Sequence, residues 1–147
     1  MARLYGATDC FDMAVPEERE RFHFVVMEET SQSGVDAVFE MSGSYRAYED
    51  AFRAIRMGGT FSLLGLPTGT MPIDFARDVI FKGVTIKGII GRRVFETWHQ
   101  MEAILKAGLA KKFITTGFIT HQYPLEQFDE AVATIGKGDA FKVLLKP

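Results

Sequence analysis

Two hydrophobic periodicities alternate along this chain, and their alternation constrains the fold more than any single residue does. Residues 34–44, GVDAVFEMSGS, form a mostly apolar run between turn residues, suited to a strand covered on both faces. Tyr45, Tyr48, Phe52 and Ile55 then recur at helical spacing, and Met57-Gly58-Gly59 ends that pattern. The run TFSLLGL at 60–66 reads as a second buried strand, stopped by Pro67 and Gly69. Asp74 is placed to cap a short helix reaching Ile80. Residues 84–90 give a third strand, followed by a helical face of Val94, Phe95, Trp98, Met101, Ile104 and Leu105 that ends at Gly108. Strands separated by helices in this way predict βαβ units, hence an α/β fold with a doubly wound, mainly parallel sheet.

The flanks extend the pattern. Residues 1–6 read as the last turn of a helix closed by Gly6, and residues 9–13 as a short strand. Pro16 opens a helix with Glu17 and Glu18 in its first turn, where the helix dipole favours them. Near the other end Ile119 falls in a short strand, Leu125, Phe128, Val132 and Ile135 make a helix closed by Gly136, and residues 141–146 make a last strand. This tail carries a smaller pattern of its own, so we expect a division into 1–113 and 114–147.

At 147 residues and 47% hydrophobic content the chain can build one ordinary core, and a net charge of −2 without charge runs argues against nucleic acid or a membrane surface as partner. No apolar stretch approaches the roughly 18 residues a membrane span needs. The single cysteine, Cys10, forms no internal disulfide, which fits a reducing compartment and a cytoplasmic setting.

In a doubly wound sheet ligands sit beyond the carboxyl ends of the strands. Those ends are Ser42-Gly43-Ser44, Gly65-Leu66-Pro67 and Ile89-Ile90-Gly91, small or permissive enough to let a flat ligand approach the backbone. The same glycines are also what any strand-to-helix loop needs. Arg92 and Arg93 open the next helix, where acidic residues are usual; one of them facing a nucleotide phosphate is one explanation, pairing with surface carboxylates the other. Glu40 suits contact with a ribose or a partner residue, or a buried, hydrogen-bonded structural role, equally. The G-x-G-x-x-G fingerprint is missing: Gly136-Lys137-Gly138 follows a helix and runs into Phe141, and Gly83 to Gly88 has P-loop spacing but Ile89 and Ile90 in place of the required Lys and Ser/Thr. His23, His99 and His121 are far apart and none pairs with Cys10 at a zinc-site spacing.

The segments VFEMSG, LLGLP, FKGVTIKGIIGRRVFETWHQM and ITHQYPLEQFDEAV…KGDAFKVLLKP, in that order, resemble the zinc-dependent L-threonine 3-dehydrogenases of the medium-chain alcohol dehydrogenase superfamily. The G-R-x-x-F-E-T-W run, here Gly91 to Trp98, is the most branch-specific of them. The resemblance covers the C-terminal part of such enzymes. It implies a partial Rossmann domain lacking its first strands over 1–113, and a segment 114–147 that would return to a GroES-like catalytic domain not contained here. It implies NAD as cofactor, with Leu64, Gly65, Leu66, Ile89 and Ile90 lining its site and Ser42 and Gly43 approaching it; Arg92, from its place at the helix start, is a further candidate for cofactor contact. Members often carry an aromatic where Ile90 stands. The zinc of the full-length enzymes finds no ligands here, and no catalytic residue carries over. The resemblance further implies L-threonine as substrate of the full-length enzyme and a homo-oligomer joined through the edge of the strand at 84–90. The 147 residues alone are then expected to be inactive. The alternatives are a truncated or split-gene remnant serving assembly or nucleotide binding, or part of a related zinc polyol or alcohol dehydrogenase. The strand at 9–13, robbed of its neighbours, is expected to be displaced or paired with another chain.

Overall fold

The computed structural model describes residues 1–90, 93–138 and 140–147, so Gly91, Arg92 and Asp139 lie outside the described residues. It forms two compact units, Met1–Gly91 and Arg92–Pro147. The expected boundary at 113/114 falls inside a helix, Ala110–Thr115, so the units divide earlier than the sequence pattern suggests.

In the first unit the helix α1 (Pro16–Glu29) begins at Pro16 with Glu17 and Glu18 in its first turn. Three parallel strands follow, β1 (Val35–Glu40), β2 (Ile55–Leu63) and β3 (Thr85–Gly88), in the order β1-β2-β3, with α2 (Tyr45–Ala54) linking the first two. The parallel α/β expectation is met. The core lies between α2 and β2: Phe61 is 0% exposed, and its ring meets Phe52 edge-on at 5.1 Å and Tyr48 at 5.6 Å. Ala51, Ile55 and Val84 complete the buried cluster, with Val38, Leu63 and Val79 packed against it.

Four local expectations are corrected. First, Ile55 belongs to β2, and Met57-Gly58-Gly59 lie inside that strand rather than at the end of a helix. α2 stops at Ala54 and the chain turns extended at Ile55 without a linking residue. The extra length is absorbed by a bulge, since the pairs Val35–Ile55 and Ala37–Thr60 are successive in the ladder. Second, residues 9–13 form no strand. The Asp12 carboxylate accepts the Ala14 N–H at 3.0 Å and its carbonyl the Val15 N–H at 3.0 Å, a turn that bends the chain into α1. Phe11 packs instead on Phe22 of α1, at 5.5 Å between ring centroids. Third, β1 is not covered on both faces: Phe39 is 66% exposed. Fourth, the short helix after Asp74 is a π-helical turn, Ala76–Ile80, whose Arg77 N–H is accepted by the Asp74 carboxylate at 3.0 Å.

The second unit holds α3 (Glu96–Ile104), which runs through a π-helical turn at Leu105–Leu109 into α4 (Ala110–Thr115). Gly108, expected to end the helix, takes the non-helical angles φ 127 and ψ −10, so the helical run breaks there and a second one follows. Next come β4 (His121–Pro124), α5 (Phe128–Gly136) and β5 (Val143–Lys146), a small parallel βαβ unit with Tyr123 opposite Leu145. Ile119 precedes the strand rather than joining it, because Thr120 anchors the turn there: its hydroxyl accepts the Phe141 N–H at 3.0 Å and the Lys142 N–H at 3.3 Å.

Candidate functional site

Parallel pairing brings the ends of three strands level. Glu40 stands opposite Leu63, and Leu63 opposite Gly88. The residues that follow those ends are Ser42 and Gly43, then Leu64, Gly65 and Leu66, then Ile89 and Ile90. All seven predicted contact residues therefore lie along one edge of one sheet. The eighth, Arg92, lies outside the described residues.

Glu40 organises this edge. It is 4% exposed, and one carboxylate oxygen accepts the Ser42 N–H at 2.7 Å, the Gly43 N–H at 2.9 Å and the Ser42 hydroxyl. Its main-chain carbonyl accepts the N–H groups of Leu64 and Gly65, at 2.9 and 3.2 Å. Burial of the Tyr48 ring raises its phenol pKa, and the Glu40 carboxylate adds a smaller push in the same direction. Of the two roles the sequence leaves open for Glu40, the hydrogen bonds support the buried structural one.

The two loops interlock tightly enough to require glycine. A β-carbon on Gly65 would stand 2.1 Å from the Gly43 nitrogen, and one on Gly43 would stand 2.7 Å from the Leu66 carbonyl oxygen. Gly43 also has φ +70, in the left-handed region. The N–H of Ser44 goes to the Ser42 hydroxyl at 3.1 Å, and that of Ile89 to the Leu63 carbonyl at 2.9 Å. The N–H groups of Ser42, Gly43, Ser44, Leu64, Gly65 and Ile89 are thus engaged internally, so they form no nest for a phosphate. What the edge presents outward is apolar: Leu66 is 87% and Ile90 95% exposed, with Met41, Leu64 and Ile89 beside them. Such a rim suits a flat, weakly polar ring rather than an anion.

The arginine puzzle resolves for one of its two members. Arg93 pairs with Glu96, one turn on, at 3.4 Å, so an acidic side chain in the helix's first turn offsets its charge.

A polar cluster that the sequence reading missed joins α1 to α2. Arg19 Nε donates to both Asp50 oxygens, at 2.8 and 2.9 Å, and His23 Nε2 lies 2.9 Å from Asp50 Oδ1, with His23 and Asp50 both buried. Asp50 raises the guanidinium pKa of Arg19 through that hydrogen bond. The available signals were the i,i+4 spacing of Arg19 and His23 and a carboxylate among the core positions Tyr48, Ala51 and Phe52.

Two concavities flank the sheet of the first unit. One, about 700 Å3, runs beside β1 and is lined largely by apolar groups, among them Phe22, Val38, Phe39, Ala47 and Ala51. The other, about 520 Å3, is charged, but Arg77 is held by Asp78 at 2.7 Å and Lys82 donates to the Phe52 carbonyl at 2.6 Å.

Among the described residues no group of three or more His, Cys, Asp or Glu side chains could hold a metal ion, and none of the helices is long and apolar enough to cross a membrane. His23 is committed to Asp50, and His121 to Thr120 at 3.0 Å. The donor set does not fit a zinc site.

Comparison with known proteins agrees with this architecture. Residues 1–107 match a family described as zinc-binding dehydrogenase. The chain is 39% identical, over all 147 of its residues, to an L-threonine 3-dehydrogenase of Caldanaerobacter subterraneus subsp. tengcongensis, and spans 41% of that relative's length. It is 42% identical over 123 residues to the L-threonine 3-dehydrogenase of Symbiobacterium thermophilum, covering 84% of this chain and 34% of the relative. Among solved structures, an alcohol dehydrogenase from Thermotoga maritima superposes with a TM-score of 0.77 at 25% identity, over 88% of this chain and 35% of that one.

Proposed function

The chain belongs to the zinc-binding dehydrogenase family, and from that premise we propose that it is the NAD-facing portion of an enzyme that oxidises L-threonine to 2-amino-3-ketobutyrate. The observation that carries this reading is the pairing of two facts. The whole chain aligns at 39% identity with a protein named for that activity, and the residues expected to meet the cofactor converge on one sheet edge. NAD, when bound, accepts the hydride. Leu64, Gly65 and Leu66 would line its site, Ser42 and Gly43 approach it, and Ile89 and Ile90 would lie against its nicotinamide half through apolar contact.

No anion nest is built from the loop N–H groups, which supports placing the phosphate grip elsewhere. We assign no step to zinc, because the side chains of the described residues do not fit it. The chain spans less than half of the relatives it matches, and the 147 residues by themselves are expected to turn over no threonine. The concavity beside β1 supports further polypeptide covering that side of the sheet. The outer edge of β3, which pairs only with β2 among the described residues, is where we place self-association. A soluble, cytoplasmic setting accords with this role.

The test is a titration of the chain with NADH, followed by nicotinamide fluorescence. Saturable binding that NAD competes away is expected, weakened at least tenfold by Leu66→Asp or Ile90→Asp. Binding indifferent to both substitutions would refute the placement. Adding the N-terminal part of a curated relative, with zinc, L-threonine and NAD, is expected to restore NADH production; continued silence would favour a remnant with no complementing role.

A further inference from the structure

We propose that Glu40 is the positioning residue of the cofactor-facing edge, holding the loop after β1 and the loop after β2 in one fixed relation; this rests on the reading that a dinucleotide lies along that edge. The geometry is specific to this residue. Its carboxylate collects Ser42 N–H, Gly43 N–H and the Ser42 hydroxyl, while its carbonyl collects Leu64 N–H and Gly65 N–H. One residue therefore grips both loops, each through a different acceptor group.

The choice of a carboxylate needs explaining. A buried charge is costly unless hydrogen bonds replace its hydration. Among the described residues Glu40 has no salt-bridge partner, so neutral donors from its own loop compensate it. An apolar residue would fill a strand end without that burden. What the carboxylate adds is direction: it turns the Ser42 and Gly43 N–H groups inward. With those N–H groups inside, Gly43 can lie against Gly65 and Leu66 at the separations that forbid a β-carbon. The exposed line from Leu66 to Ile90 is thereby held at a set distance from the Ser42-Gly43 turn. Glu40 acts on the ligand only through these groups, so it is a positioning residue and not a catalytic one.

Chain length within the side chain gives the discriminating variants. Asp accepts readily from the N–H two residues ahead in an Asx-turn, and here that donor is Ser42. Glu40→Asp retains a charged acceptor for the loop, whereas Glu40→Ala removes it and Glu40→Gln replaces it with a neutral group that also carries donors.

The experiment is residue-resolved amide hydrogen exchange on the unmodified chain and on the three variants, with NADH titration alongside. In Glu40→Ala and Glu40→Gln, exchange at Ser42 and Gly43 is expected to accelerate at least tenfold, with Val38 and Phe61 unchanged and NADH affinity down at least tenfold. Glu40→Asp is expected to recover both readouts to within about threefold of the parent. Unchanged exchange at Ser42 and Gly43 overturns the proposal, as does acceleration spread evenly over the sheet in Glu40→Gln. Local acceleration without any loss of a measurable NADH affinity overturns it too. A parent chain that binds no NADH would sink the placement of the dinucleotide, and the exchange pattern would still decide whether Glu40 fixes the loops.

Discussion

Replacing Gly65 by alanine tests the interlocked loops directly. The added methyl would lie 2.1 Å from the Gly43 nitrogen, 2.7 Å from a Glu40 carboxylate oxygen and 2.8 Å from the Gly43 α-carbon. The nearest of these falls about 1.3 Å short of ordinary van der Waals contact, and it is backbone, so no rotamer change relieves it. Gly65 is not in the left-handed region, so alanine carries no intrinsic strain and even gains about 0.4–1 kcal/mol from a stiffer unfolded chain. Against that, overpacking costs about 1–3 kcal/mol. Retreat of Gly43 by an ångström also breaks its charge-assisted bond to Glu40, worth about 1.5–3 kcal/mol. The net expectation is a loss of about 3 kcal/mol. Gly69→Ala is the control, because its methyl would meet nothing within 4 Å and only the φ of +82 opposes it, a cost of about 1–2 kcal/mol. Urea unfolding followed by circular dichroism reads the difference: with a slope of about 1–3 kcal/mol per molar, Gly65→Ala should lower the midpoint by about 1 M or more. A midpoint no lower than that of Gly69→Ala would refute the interlock.

Four further outcomes are expected. Asp50→Ala strands the Arg19 and His23 donors between α1 and α2 and should destabilise by about 3 kcal/mol. Arg93→Ala, which removes only an exposed pair, should stay within about 0.5 kcal/mol in the same urea assay. Hydrogen bonding from Arg77 holds the Asp78 carboxyl below its ordinary 3.8. Its folded pKa is therefore lower than its unfolded one, so its stabilisation is complete above about pH 4 and fades as pH falls through the depressed value. Melting temperatures measured across that range should flatten on the acid side in Asp78→Asn. Finally, the Ile89 N–H faces β2, so by alternation the Ile86 N–H faces outward from β3. On the self-association proposed through that edge, sedimentation should find Ile86→Pro monomeric where the parent chain associates, with the circular dichroism spectrum kept.

The sheet was legible because parallel strands carry continuous apolar runs, and VDAVFE and TFSLL stand out as such between turn residues. The π-helical turn after Asp74 and the final βαβ unit were legible through caps and periodicity. The junction at Ile55 was not: it stands three residues from Phe52, so helical spacing extends naturally onto it, and only pairing with Val35 reveals the strand. The segment at 9–13 looked like a strand because Cys10, Phe11 and Met13 are apolar, but the Asx-turn at Asp12 and the packing of Phe11 on Phe22 are local alternatives that satisfy it without a sheet. At the candidate site the loop glycines were readable, yet generic. Their mutual contact is a long-range property, as is the grip of Glu40 on two loops that are twenty-odd residues apart. The Arg19–Asp50–His23 cluster left local signals in the spacing of Arg19 and His23 and in a carboxylate among core positions, but its joining of two helices is long-range in the same way.

The direct passage from α2 into β2 leaves no slack between Ala54 and Ile55. The bulge beyond that junction can take up a change in length, but from Thr60 to Leu63 pairing is continuous with both β1 and β3. Side chains alternate sides there, so one residue inserted between Thr60 and Phe61 would carry Phe61 from the packed side of the sheet to the other. The register lock is therefore the doubly paired stretch 60–63 rather than the helix–strand junction: a single codon gained or lost within it would turn the core inside out.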